Sequence, residues 1–200
     1  MTYCLLKVDI RSYWLPGTGR TSGALIDGTA HRDAHGLPVL PGRHLKGLLR
    51  DAMERVALWG WPGYADLPRE LFGDRTEEGS HSLPNKGSLR ISDARLPTEI
   101  TPWLQSEEGR DARLKMFRTL SSTAIDNEDV TGSAKDKSLR VLEVVIPLEL
   151  TARLEPSPGA TPPHEWAQRL NAVLPLISAV GAHRNRGLGR AILTLEEFPS

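Results

Sequence analysis

The sequence has no surplus charge of either sign, a single cysteine, few aromatic residues and no long apolar run. Twenty-five Lys and Arg balance twenty-five Asp and Glu among 200 residues. No global field therefore draws the protein onto nucleic acid or a membrane, and any anion site must be local. Cys4 alone excludes an internal disulfide and a zinc site built on several thiolates, and suits a reducing compartment. No apolar stretch nears the roughly 20 residues of a membrane span, and the N-terminus has neither the basic start nor the cleavage site of a signal peptide. The expectation is a cytoplasmic protein with no membrane partner. Aromatics make up 6 %, and none forms the aromatic strand pattern on which RNA-binding sheets stack bases.

What the chain does have is 15 prolines and 18 glycines, which predict long loops between a small number of elements. Tyr3 to Trp14 alternates apolar and polar residues and reads as a half-buried strand. Residues 15–42 form a glycine-punctuated loop with apolar anchors at Leu25, Ile26, Val39 and Leu40, and loops of that length in compact domains are usually functional. Leu45, Leu48, Leu49, Ala52, Met53 and Val56 then recur at helical spacing. A helical turn is expected near Leu67 to Phe72, a second strand over Ser88 to Arg95, and a weakly periodic insertion over 96–138. Leu139 to Leu150 reads as the strongest strand, although Pro147 would cost it a ladder hydrogen bond. A helix from Trp166 is expected to break at Pro175, and Ala191 to Leu195 closes the chain as a strand. The order predicts one α+β domain over residues 1–200, a ferredoxin-like βαββαβ fold with long loop insertions. In it, the loop before the first helix and the loop before the last strand are expected to leave different ends of the sheet.

Two places carry concentrated positive charge. Gly181 to Arg190, GAHRNRGLGR, combines three glycines with Arg184, Arg186, Arg190 and His183 and contains no acid. Glycines let a backbone turn and approach a ligand closely, while arginines offer forked donors to phosphate. The alternative is an ordinary tight loop with solvated arginines. Arg43, His44 and Lys46 fall in the first turn of the predicted helix, the wrong sign for a helix N-terminus unless an anion binds there or the three are merely solvated. His31 and His35 are four apart, but glycine and proline surround them and no thiolate completes a zinc site.

Three stretches carry a family resemblance: IDGTAHRDAHGLPVLPGRHLKGLLRDAM (Ile26 to Met53), STAIDNEDVTGSAKDKSLRVLEVV (Ser122 to Val145) and AHRNRGLGR (Ala182 to Arg190). Together they resemble the RAMP superfamily of CRISPR effector proteins, above all the repeated backbone subunit of type III complexes. The resemblance implies that Arg43, His44, Lys46, His183, Arg184, Arg186 and Arg190 face the phosphates and sugars of a CRISPR RNA, fixing register without reading sequence. It implies a thumb within the insertion, at Thr123 to Lys137, with Ile125 and Val130 as wedge or packing residues. It also implies target-RNA cleavage by an aspartate in the first loop, which matches Asp27, with Mg²⁺ as cofactor. Asp33 is the substitute, Asp126 a more distant one, and an Asx turn is the non-catalytic alternative for Asp27. Expected partners are CRISPR RNA, target RNA, other effector subunits, and copies of the chain or related subunits in a filament. The alternatives are a scaffold subunit without catalysis and a repeat-processing endoribonuclease using His31 or His44 as base. The chain is shorter than many backbone subunits, and PGTGRTSG (Pro16 to Gly23) replaces a double-glycine motif after the first strand.

Overall fold

The computed structural model describes residues 3–17, 28–75, 85–123 and 140–198. Its centre is strand β1, Tyr3–Ile10, in which Cys4, Leu6, Val8 and Ile10 point inward and the alternate residues outward. Helix α1, Gly42–Leu58, lays Leu45, Leu48, Leu49, Ala52, Met53 and Val56 on the same core, as its apolar spacing predicts. Short helix α2, Leu67–Phe72, strand β2, Leu89–Ile91, and short helices α3, Thr101–Gln105, and α4, Arg110–Lys115, follow. Next come β3, Phe117–Ser122, β4, Arg140–Val145, and β5, Leu148–Pro156. Helix α5, Trp166–Val173, gives way at Pro175 to a 3₁₀ turn, Leu174–Leu176, and β6, Ala191–Phe198, completes the order.

Strands β2, β5, β1 and β6 form an antiparallel sheet in that order. In this register Val8 lies between Leu150 and Leu193, so the inward side chains of three strands share one face. Helices α1 and α5 cover that face, with Leu170 and Val173 of α5 fully buried. The layout is the ferredoxin-like split-βαβ arrangement of two helices on one side of a four-stranded sheet.

Two expectations change. Leu139 to Leu150 is not one strand: the chain breaks at Ile146 and Pro147, and its halves enter different sheets, β4 pairing with β3 and β5 with β1. Proline cannot donate to a ladder, so the pairing partner changes there. The loop after β1 and the loop before β6 leave the same end of the sheet, since β6 runs antiparallel to β1 and pairs Ala191 with Ile10. The insertion over 96–138 holds α3, α4 and β3, and β3 with β4 makes a two-stranded sheet flanking residues 124–139.

That small sheet is tied to the first loop. Glu143 N–H donates to Gly28 O at 2.9 Å, and Ala30 N–H donates to Glu143 Oε2 at 3.1 Å. Arg32 grips both oxygens of Glu143, at 2.8 and 2.7 Å, while its guanidinium lies 3.7 Å over the Phe117 ring. Burial pushes the Glu143 carboxyl up, but the bonds from Arg32 and Ala30 outweigh it and hold it below the ordinary carboxylate range. Glu143→Gln should therefore cost about 1–3 kcal/mol at pH 7. A carboxyl whose pKa is lowered by folding stabilises the fold above its unfolded value and loses that contribution as pH falls through the folded value. Urea denaturation should thus show the two proteins converging as pH drops below the ordinary carboxylate range, and a constant gap would contradict the assignment.

Candidate nucleic-acid interface

Leaving β1, the chain runs extended through Tyr13, Trp14, Leu15 and Pro16 and is paired on both sides. Trp14 exchanges backbone hydrogen bonds with Val145, at 3.0 and 2.8 Å, and its indole N–H donates to Ile146 O at 3.1 Å. Trp14 is fully buried. On the other side Ala182 N–H donates to Leu15 O and Gly189 N–H to Tyr13 O, each at 2.8 Å. Further on, His31 N–H donates to Pro16 O at 2.7 Å. This ridge holds the glycine-arginine loop, β4 and the first loop together at one end of the sheet.

The glycine-arginine loop turns on left-handed backbone. Gly181, Gly187 and Gly189 have φ of 82, 84 and 73°, and His183, without glycine's freedom, has φ 56° ahead of a 3₁₀ turn at Arg184–Arg186. Such residues persist only where their surroundings over-determine them. At Gly181 a Cβ would lie 2.6 Å from Leu15 O, so the ridge passes close enough to require glycine.

The start of α1 meets this loop directly. Gly181 N–H donates to His44 Nε2 at 2.9 Å. Pro16, Gly17, Leu40, Pro41, Arg43, His44 and Gly181 line a cleft of about 310 Å³ between them. The anion that the first turn of α1 calls for comes in part from the chain itself, since Gly42 N–H donates to Asp93 Oδ1 at 2.9 Å, the sign that a helix start favours. His44 and Leu45 N–H both turn to Pro41 O. The helix start thus offers side chains to a ligand more than free amides. Burial, and then Arg50, lowers the pKa of Lys46.

Charge is distributed unevenly over this neutral chain. Ten described arginines, from Arg11 to Arg169, lie within ion-pair distance of a carboxylate. Six described arginines have no side-chain hydrogen bond or ion pair to another described residue; Arg90 and Arg140 lie on β2 and β4, while Arg43, Arg184, Arg186 and Arg190 all belong to this one end. The open sheet face is the opposite case. Lys7 pairs with Glu196 at 2.8 Å, Arg153 pairs with Glu155 at 2.8 Å and covers the Tyr3 ring, and Tyr3 stacks on Phe198. These groups and rings occupy one another, although Arg90, opposite Glu155 on the same face, has no such partner among the described residues.

Of the remaining candidates, Asp33 is placed in a structural task. Its Oδ1 accepts from the N–H groups of His35 and Leu37, at 2.9 and 3.0 Å, and its Oδ2 lies 3.4 Å from Arg95, which also reaches Asp93. It closes an Asx-type turn. Asp27, Asp126, Ile125 and Val130 lie outside the described residues; Gly28, bonded to Asp27, is anchored beside Leu142 of β4. Among the described residues no three His, Cys, Asp or Glu side chains could hold a metal ion. No described helix is long and apolar enough to cross a membrane. Sequence reading missed Trp14, Asp93 and the Arg32–Glu143 pair, because their partners are more than 50 residues away.

The RAMP superfamily model matches residues 7–192. The chain belongs to the RAMP superfamily. Among solved structures this RAMP chain is similar to a chain in the cryo-EM structure of the Type III-B Cmr-beta bound to cognate target RNA, with 12 % identity, 96 % of each chain covered and a TM-score of 0.71. A chain of the apo-state Cmr-beta matches at 12 % identity over 96 % of each chain, TM-score 0.64. A chain of a Type IV-B CRISPR complex matches at 12 % identity over 99 % of this chain and 91 % of that one, TM-score 0.57. At these identities the likeness is one of fold. No curated protein matches the chain.

Two glycine substitutions separate the ridge contact from ordinary helix propensity. Gly181→Ala should destabilise by about 1–3 kcal/mol, because it combines positive φ with a clash on Leu15. Gly47→Ala, inside α1 with open space around it, should stabilise by about 0.5–1 kcal/mol. Thermal denaturation of both variants measures the contrast, and equal effects would contradict the close approach at Gly181.

Proposed function

We propose that this RAMP protein is a CRISPR RNA-binding backbone subunit of a type III effector complex, which positions and cleaves complementary target RNA. The observation that carries the binding is the gathering of Arg43, Arg184, Arg186 and Arg190, without partners among the described residues, at the end of the sheet that bears the 310 Å³ cleft. Guanidinium groups on two rigid elements recognise the regular phosphates of a strand and leave its bases free to pair. The neighbours' association with Type III-B Cmr-beta, cognate target RNA and a Type IV-B CRISPR complex supports the same reading, as does membership of the superfamily. Partners would be guide and target RNA, further effector subunits and copies of this chain or its relatives in a filament.

Cleavage is assigned to Asp27, at the end of the segment anchored to β4 through Gly28. Its carboxylate would take the proton of a target 2′-OH as that oxygen attacks the adjacent phosphorus and the 5′-oxygen leaves. Magnesium is commonly held by one or two carboxylates together with substrate phosphates, so Asp27 and RNA could share one without a cluster of protein ligands. When bound, the ion would stabilise charge on the phosphate oxygens. The thumb is assigned to Thr123 to Lys137, with Ile125 and Val130 as wedges. His44 is a poor general base because Gly181 N–H occupies its Nε2, which weighs against the repeat-processing reading. A scaffold subunit without catalysis remains the second reading, favoured by the structural role of Asp33.

Two measurements follow. The Arg184→Ala, Arg186→Ala double variant should lower the slope of log affinity for guide RNA against log salt by about 1.4, at 0.7 per phosphate contact on a single strand; an unchanged slope would remove both residues from the interface. Asp27→Ala in the assembled complex with Mg²⁺ should abolish target cleavage by this subunit while guide binding persists, and retained cleavage would favour the scaffold reading.

A further inference from the structure

Two elements carry the unpaired arginines at this end of the sheet, and they are far apart in sequence. The first turn of α1 holds Arg43 and the loop before β6 holds Arg184 and Arg186, about 140 residues later. Among the described residues one side-chain hydrogen bond joins them directly, from Gly181 N–H to His44 Nε2 at 2.9 Å. Gly181 is buried and its Cα faces Leu15 O, so the loop cannot slide toward the ridge. A donor N–H at this distance requires Nε2 to be an acceptor, which places the imidazole proton on Nδ1 and leaves the ring neutral.

We infer that His44 is a positioning residue for RNA binding: its unprotonated Nε2 fixes the spacing between the arginine of α1 and those of the glycine-arginine loop. The inference rests on the RNA-binding reading of this end of the sheet. Protonation would set Nε2–H against Gly181 N–H, two donors face to face, and orphan a buried amide. The surroundings favour the neutral ring. Arg184 stands across the gap, His183 adjoins it, and Arg43 and Lys46 flank His44 on its own helix. Asp93 bonds the helix start at Gly42, while the lining residues Pro16, Gly17, Leu40 and Pro41 bring no charge. Burial, and then Arg184, lowers the pKa of His44. The sign follows from linkage. A histidine whose pKa falls on folding costs stability as pH drops below its ordinary value of about 6.5, and in the folded state the clamp opens only at the lower folded value.

The test compares wild type with His44→Gln, whose Oε1 can accept the Gly181 bond without titrating, and His44→Ala, which cannot accept it. The first readout uses no RNA: hydrogen exchange at the Gly181 amide in the purified protein from pH 5 to pH 8, corrected for intrinsic exchange. Wild type should lose protection as pH falls through the lowered His44 pKa, the Gln variant should keep it throughout, and the Ala variant should be less protected at every pH, by about 3- to 10-fold. The second readout is guide-RNA affinity against salt. His44→Ala should weaken binding by a similar factor with an unchanged salt slope, and His44→Gln should restore it. Equal Gly181 protection in all three proteins would overturn the clamp. A salt slope that falls in the Ala variant would overturn the positioning role, because His44 would then contact phosphate itself. Should wild type bind no RNA, the RNA-binding reading and the positioning role both fail, while the exchange data still decide whether the clamp exists.

Discussion

The two-sided backbone pairing of residues 13–16 is the constraint on which the rest of the structure depends. The β1 strand ends at Ile10, and an unpaired extension would expose backbone polar groups that Trp14 and Leu15 bury among apolar neighbours. Instead Val145 takes one edge of the segment and Ala182 the other. This single arrangement holds β4 against one edge of the segment and the loop before β6 against the other, and it is why position 181 must be glycine. Trp14 locks it, with a fully buried ring and its indole proton on Ile146 O.

Electrostatics then separates the working end from the scaffold. A chain with zero net charge has no global field to draw in an anion, so the proposed RNA site depends on arginines left unpaired locally. Most arginines are neutralised by nearby carboxylates, and the open sheet face is cross-linked by its own ion pairs and rings. Arginines around the cleft are left without described partners. Asp93 and Asp33 are drawn instead into a network with Arg95 that braces the helix start and the 33–37 turn.

Much of the fold was legible because it rests on short periods. The alternation of β1, the apolar face of α1 and the interruption of α5 at Pro175 follow from residues within one element. The split between β4 and β5 was half visible, since Pro147 marks the place but cannot say that the strand changes sheets. The two basic stretches were legible in composition, but their convergence was not: the loops were expected at different ends of the sheet, and their meeting depends on the antiparallel pairing of Ile10 with Ala191. The role of His44 was hidden for the same reason. Nothing near it in sequence shows that a glycine amide 137 residues away will occupy its Nε2.

The most direct test of the central claim is ultraviolet crosslinking of the assembled complex to its guide RNA, with the crosslinked peptides mapped by mass spectrometry. Crosslinks concentrated in residues 40–46 and 181–190, with none on Lys7 or Arg153 of the open sheet face, are the predicted result. Crosslinks concentrated on the open face, with the glycine-arginine loop untouched, would contradict it.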